Sequence, residues 1–93
     1  MSTDTQAWLT PAIQAAARAV HHLAQEAAAH PGRAGLWRDK KATKAALRRL
    51  CAQSVYVEHP GWEYFRQYRL FMERERTALA EAARLAEQTG GAA

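Results

Sequence analysis

The chain has 93 residues, enough for one domain with a modest core and too few for a second. Hydrophobic residues make up 48% of it, but 22 of them are alanines, which favour helices and bury little area. One cysteine and four histidines form no recognisable nucleophilic motif, and no glycine-rich phosphate loop is present. We therefore expect a single helical domain over residues 1–93, no enzymatic activity and no cofactor.

The N-terminus lacks the basic start and the long apolar run of a secretory signal. No stretch approaches the ~18 apolar residues of a membrane span. Cys51 has no second cysteine to pair with, and its position on the apolar side of a predicted helix indicates a buried free thiol. These features predict a cytoplasmic protein that does not bind membranes, and the Ala- and Arg-rich composition is typical of a bacterial or phage source.

The first predicted helix covers about residues 10–29, after a flexible tail over residues 1–6. Thr10 supplies a capping hydroxyl and Pro11 takes the first helical position. Small apolar residues recur every three or four positions, which allows a neighbouring helix to approach closely. This seam consists of Ile13, Ala16, Ala17, Val20, Leu23, Ala24 and Ala27.

The second predicted helix covers about residues 36–57 and carries most of the positive charge. Residues 33–49 hold seven of the thirteen basic residues and one acid, a net charge of +6, so the other residues together are −2. At ~100° per residue, Leu36, Leu47 and Cys51 fall on one side of the helix. Five cations on the other side form what we call the basic face: Arg38, Lys41, Lys44, Arg48 and Arg49.

The third predicted helix is the longest, over about residues 60–88, with Pro60 in its first turn and a flexible tail over residues 90–93. Helical spacing predicts a core-facing stripe of Trp62, Phe65, Tyr68, Met72, Leu79, Ala83 and Ala86. We expect an antiparallel three-helix bundle, completed by a homo-oligomer or by docking into a larger complex. The expected interface residues are Tyr64, Phe71, Leu79 and Leu85.

The basic face is the strongest functional signal in the sequence. Clustered Lys and Arg release counterions when they neutralise phosphates, which gives salt-dependent affinity for nucleic acid. The leading hypothesis is a small non-enzymatic protein that binds nucleic-acid backbone, as a regulator or a subunit of a nucleoprotein complex. The alternative is a protein–protein interaction module, such as a phage- or plasmid-type inhibitor or an assembly subunit, whose basic face docks on an acidic protein.

Two further patterns are weaker. A helix-turn-helix needs two short helices and base-reading side chains, and the basic face contains neither Asn nor Gln, so we expect backbone contact rather than base reading. His22, Glu26 and His30 recur every four residues along the first helix. They face away from its apolar seam, and no pair on another helix completes a ligand set, so we expect no metal site.

Overall fold

The protein is described by a computed structural model that covers residues 7–61 and 63–92, without the side chains of Tyr64 and of residues 89–92. The chain forms three α-helices: α1 (Pro11–Ala29), α2 (Ala34–Glu58) and α3 (Tyr64–Ala92). Every pair of helices is in contact, and no strand occurs among these residues. The predicted all-α three-helix bundle is confirmed. The flexible tail predicted over residues 1–6 lies outside the described residues.

α1 begins at its capping signal. The backbone N–H of Ile13 donates to Thr10 Oγ1 at 3.3 Å, and Pro11 stands at the first helical position. The helix closes where the N–H of His30 donates to the carbonyl of Glu26 at 2.9 Å. Because the chain turns immediately afterwards, α2 begins at Ala34, slightly before the predicted Leu36.

The connection between α2 and α3 is longer than predicted. The N–H of His59 donates to the carbonyl of Val55 at 2.8 Å and closes α2, so Pro60 lies in the turn and not in α3. α3 starts four residues later, and its Gln67 side chain donates to the carbonyl of His59 at 2.8 Å. At its other end α3 continues through residues 89–92, where a tail was predicted from residue 90; residue 93 lies outside the described residues.

The core is narrow and rich in small side chains. The α1 seam is buried at Ile13, Ala17, Val20 and Ala27, as its spacing predicts. α2 contributes Leu47, Cys51 and Val55, the largest fully buried side chains among the described residues. Since the remaining buried apolar residues, Ala78 and Ala82, are alanines, the helices approach closely but exclude little apolar area from water.

The buried face of α3 differs from the predicted stripe. Phe65 and Tyr68 are 60% and 45% exposed, whereas Arg74 and Glu75 are buried. A hydrophobic pattern assigns charged residues to the solvent side. It therefore places the centre of the α3 core face too far toward the aromatic residues, and misses the two charged side chains that point inward.

Arg74 is the centre of a polar network at one end of the bundle. Its guanidinium donates to Ser54 Oγ at 2.9 Å and to Glu58 Oε1 at 2.5 Å, and it lies 5.2 Å from the ring centroid of Trp8. Ser54 in turn donates to the carbonyl of Cys51 at 2.6 Å. The network fixes α3 against the C-terminal half of α2 and leaves the opposite side of α2 facing solvent.

Candidate functional site

We call four residues of the basic face the outer cations: Arg38, Lys41, Lys44 and Arg49. Burial of Leu47, Cys51 and Val55 turns the opposite side of α2 outward, and Arg38 and Arg49 lie on that side. Arg38, Lys41 and Arg49 are exposed, whereas Lys44 is half-buried because it precedes Cys51 by seven residues and lies near the buried side. None of the four forms an ion pair with a carboxylate in the described part of the chain.

The spacing of the outer cations suits a linear polyanion. Arg38 and Arg49 are eleven residues apart, which is ~16 Å along a helix. One strand of duplex DNA presents a phosphate every ~3.4 Å of axis, so this length spans about five phosphates. Ala45 and Ala52 lie between the cations on the same side of α2 and leave the surface flat enough for a backbone to approach.

Arg48 differs from the outer cations because it is an element of the fold. Its Nε donates to both carboxylate oxygens of Glu75 on α3, at 3.1 and 3.2 Å. The Glu75 side chain is only 4% exposed, whereas the Arg48 side chain is 48% exposed. The positive charge of Arg48 is therefore balanced within the bundle. Sequence spacing alone did not separate it from its four neighbours.

Tyr56 was not selected from the sequence, although it lies on the same side of α2 as Arg38 and Arg49. It follows Arg38 by eighteen residues, which is five turns at ~3.6 residues per turn, and it follows Arg49 by seven. Its side chain is 61% exposed. The seven- and eighteen-residue spacings could have identified Tyr56 from the sequence. They become informative, however, only once the buried side of α2 is known.

A second cation–aromatic pair lies at the start of α2. Lys40 Nζ is 4.7 Å from the ring centroid of the exposed Trp37. Such a contact stabilises an ammonium group by about 0.5–1 kcal/mol at an exposed site. Lys40 therefore has an aromatic partner within its own helix.

Cys51 is fully buried. Burial, with a smaller contribution from the nearby carboxylate of Glu75, raises the pKa of its thiol to about 11, against an opposing effect of Arg74. The thiol is therefore protonated at neutral pH, and a protonated, buried thiol is a poor nucleophile. This chemistry agrees with a structural role for Cys51.

The predicted interface residues of α3 fall into three environments. Phe71 and Leu79 are partly buried against the core, and the ring of Phe71 meets that of Tyr68 edge to face at 5.1 Å. Leu85 lines a cleft of about 240 Å³ against α1, beside His21 and His22. The side chain of Tyr64 lies outside the described residues.

The histidine row of α1 forms one weak contact. His30 Nε2 lies 3.9 Å from Glu26 Oε1, and both side chains are substantially exposed. Within residues 7–61 and 63–92, no three His, Cys, Asp or Glu side chains are close enough together to hold a metal ion. The helices described here also include no stretch with the length and apolar character of a bilayer span.

No protein-family model matches the chain, and neither does any curated protein or solved structure. The chemistry of the described residues must therefore decide between functions. Two features of α2 stand out: four cations without a carboxylate partner in the described part of the chain, and an exposed aromatic ring in line with two of them, Arg38 and Arg49. These two cations and the ring of Tyr56 lie opposite the buried side of that helix.

Proposed function

We propose that the chain is a small non-enzymatic cytoplasmic protein that binds nucleic-acid backbone through the outer side of α2, as a regulator or a subunit of a nucleoprotein complex. The observation that carries this proposal is the set of outer cations, whose charge no carboxylate of the described chain neutralises. A row of uncompensated cations attracts a polyanion and releases its counterions on contact.

Arg48 is left out of the proposed contact surface, although the sequence placed it there. Its Nε already donates to both carboxylate oxygens of Glu75, so its positive charge is balanced within the bundle. A phosphate that drew Arg48 away from Glu75 would leave a buried carboxylate without its cation, which is strongly unfavourable. Binding therefore falls to Arg38, Lys41, Lys44 and Arg49.

Tyr56 extends the proposed surface beyond the last cation. An exposed aromatic ring beside a basic track allows an unstacked base to stack on it, and such stacking is worth about 1–3 kcal/mol per base. Bases in a duplex are already stacked on one another and do not offer a free face. The proposal therefore favours single strands, or the unpaired ends and loops of a folded nucleic acid.

The direct test is a fluorescence-anisotropy titration with a 20-nucleotide single strand and a duplex of the same sequence. We expect measurable binding at ~50 mM salt, with a log–log salt slope near −3 for four phosphate contacts on a single strand. Stronger binding of the single strand would support the role of Tyr56. Absence of binding to either probe at this salt concentration would overturn the proposed function.

Two double variants with the same change of net charge show whether the position of the charge matters. We expect Lys41→Glu with Arg49→Glu to weaken binding at least tenfold, because two contacts are lost and two repulsions are added. The control, Arg18→Glu with Arg84→Glu, changes exposed cations on α1 and α3. Equal weakening by both variants would show that binding depends on the total charge alone, and would exclude a site on α2.

An acidic protein is the alternative partner, and a nuclease treatment separates it from nucleic acid. In a pull-down from the source cell, nucleic-acid binding predicts that the captured material is lost after nuclease digestion. A captured acidic protein that resists nuclease and is lost with the Lys41→Glu, Arg49→Glu variant would favour the interaction module instead.

A further inference from the structure

An apolar strip of α3 is only partly covered by the other helices in the described part of the chain. Phe65 is 60% exposed and Tyr68 is 45% exposed, although aromatic residues are the largest apolar groups this chain has. At ~100° per residue, four further residues fall within about 60° of arc with them. We call this set the α3 strip: Phe65, Tyr68, Met72, Leu79, Ala83 and Ala86.

The α3 strip is asymmetric along the helix. Its N-terminal half carries the bulky side chains of Phe65, Tyr68 and Met72, and its C-terminal half ends in Ala83 and Ala86. Close packing between helices places large side chains opposite small ones. A second α3 can satisfy this requirement only when it runs antiparallel, because a parallel copy would set bulky residues against bulky residues and leave a gap between the alanines.

One antiparallel register places large side chains opposite small ones at several positions at once. When Met72 lies opposite the partner's Ala83, Tyr68 comes within one residue of the partner's Ala86. The same register brings the two copies of Leu79 close to the symmetry axis. Two-fold symmetry repeats each of these pairs, so both ends of the strip are covered by the same contacts.

Charge on the flank of the strip fits the same register. Arg69 and Glu87 are both exposed, lie on the same side of the strip, and have no ion-pair partner among the described residues. With Met72 opposite the partner's Ala83, Arg69 falls within one residue of the partner's Glu87. In a parallel dimer, Arg69 and the partner's Glu87 would instead lie eighteen residues apart, ~27 Å along the axis, and could not meet.

From these observations we infer that a second copy of the chain covers the α3 strip, in a two-fold symmetric dimer with antiparallel α3 helices. The narrow core of a single chain explains why dimerisation would add stability. Of the nine apolar residues that are buried in the described ranges, four are alanines, while Phe65 and Tyr68 remain outside the core. Dimerisation moves these rings out of water without using the outer side of α2, so it is independent of the proposed nucleic-acid contact.

The oligomeric state is measured by light scattering on the full chain at about 50 µM, since association depends on concentration. We expect twice the mass of one chain for the unaltered protein. The variant Tyr68→Glu should be monomeric, with helical circular dichroism unchanged, because its side chain is already half exposed. A monomer mass for the unaltered protein at this concentration would overturn the dimer, and an unaltered dimer mass in Tyr68→Glu would overturn the α3 strip as its interface.

A charge exchange tests the register with exposed residues alone. We expect Arg69→Glu to weaken dimerisation roughly tenfold, because two attractions become two repulsions. Adding Glu87→Arg should restore the affinity of the unaltered chain, because each pair is then reversed in sign but complementary. If the double variant is no tighter than Arg69→Glu alone, Arg69 and Glu87 do not meet and the proposed register is wrong.

Disulfide trapping distinguishes antiparallel from parallel dimers, in a Cys51→Ala background that removes the native thiol. The variant Met72→Cys with Ala83→Cys should form covalent dimers under mild oxidation, because the two sites face each other across the axis. Within one chain they are eleven residues apart, ~16 Å along the helix, too far for a disulfide. Efficient trapping by Met72→Cys alone would indicate parallel helices and overturn the proposal.

Discussion

The outer side of α2 and the layer between α2 and α3 both carry arginines, but the two regions use them differently. In the layer, Arg48 binds Glu75 and Arg74 binds Glu58, so each cation lies against a carboxylate. On the outer side, Arg38 and Arg49 have no such partner in the described part of the chain. Whether a basic residue stabilises the fold or belongs to a candidate binding surface therefore depends on whether it has a carboxylate partner, and not on its residue type.

Burial determines how strongly a substitution in each region changes the free energy of unfolding. Glu75 is 3% exposed, so its carboxylate depends on Arg48 for compensation. Removing one member of a buried pair leaves an uncompensated charge and costs about 3–5 kcal/mol, whereas exposed substitutions usually change stability by less than about 0.5 kcal/mol. Adjacent arginines on α2 should therefore respond very differently to the same substitution.

The largest expected effect is the contrast between Arg48→Glu and Arg49→Glu. Arg48→Glu places a second carboxylate against buried Glu75, and we expect it to lower the free energy of unfolding by about 3 kcal/mol or more. Arg49→Glu should change it by less than about 0.5 kcal/mol. Urea denaturation followed by circular dichroism measures both values under the same conditions.

A double substitution serves as the control for this contrast. Replacing the pair by apolar residues, Arg48→Met with Glu75→Leu, removes both charges and should recover most of the lost stability. Similar losses for Arg48→Glu and Arg49→Glu would show that the bond to Glu75 contributes nothing particular to the layer.

The next effect concerns the pH dependence of the same layer. Cys51 has a pKa of about 11 in the fold against an ordinary value of 9.0, chiefly because it is buried. Since the folded state holds the thiol proton more tightly, its contribution is complete below pH 9 and is lost as the pH rises from 9 to 11. Two pKa units correspond to about 2–3 kcal/mol.

The measurement is urea denaturation at several values between pH 8 and 11, compared with Cys51→Ala. Tyrosines and lysines titrate in the same range and affect both proteins, so only the difference between the two curves reports Cys51. We expect the unaltered protein to lose stability more steeply than the variant above pH 9. Parallel curves would mean that the thiol pKa is not raised by the fold.

A smaller effect is expected at the end of the outer surface. Tyr56→Ala should weaken single-strand binding about fivefold or more, because one stacking contact is lost. Its effect on duplex binding should be slight. Tyr56→Phe is the matched control, since it keeps the ring and removes only the hydroxyl. Stability should be nearly unchanged in both variants because the side chain is 61% exposed.

The helices and the inner side of α2 could be predicted from the sequence because their signals are local. Thr10 and Pro11 mark the start of α1, and the spacing of Leu47 and Cys51 orients α2. Pro60 was misplaced because proline suits both the first turn of a helix and the turn before it. The hydrogen bond that closes α2 at His59 decides between these positions, and it depends on backbone geometry.

The polar layer could not be predicted, because its contacts join residues far apart in the chain. Arg48 and Glu75 are 27 positions apart, and Arg74 and Ser54 are 20 apart. Each looks like a solvent-facing residue when its helix is considered alone. The candidate site depends on the same kind of contact: the sequence predicts five cations on one side of α2, and only the packing of α3 shows that Arg48 is bonded to Glu75.

The smallest expected effect comes from Arg84 and Glu81, an exposed pair one turn apart on α3 that resembles Arg48 and Glu75 in composition only. The hydrogen bond from Arg84 lowers the pKa of Glu81 below its ordinary value of 4.5. Arg84→Ala should return that pKa toward 4.5, as followed by a carboxyl NMR titration.

A lowered pKa adds stability only above the ordinary pKa of the carboxyl, and this contribution is lost as the pH falls through the lowered pKa. At pH 7 the Arg84→Ala substitution should leave the urea midpoint almost unchanged, because water screens an exposed pair. If its midpoint instead fell as far as that of Arg48→Glu, burial would not be what distinguishes the two pairs. The difference between the layer and the exposed surface would then need another physical cause.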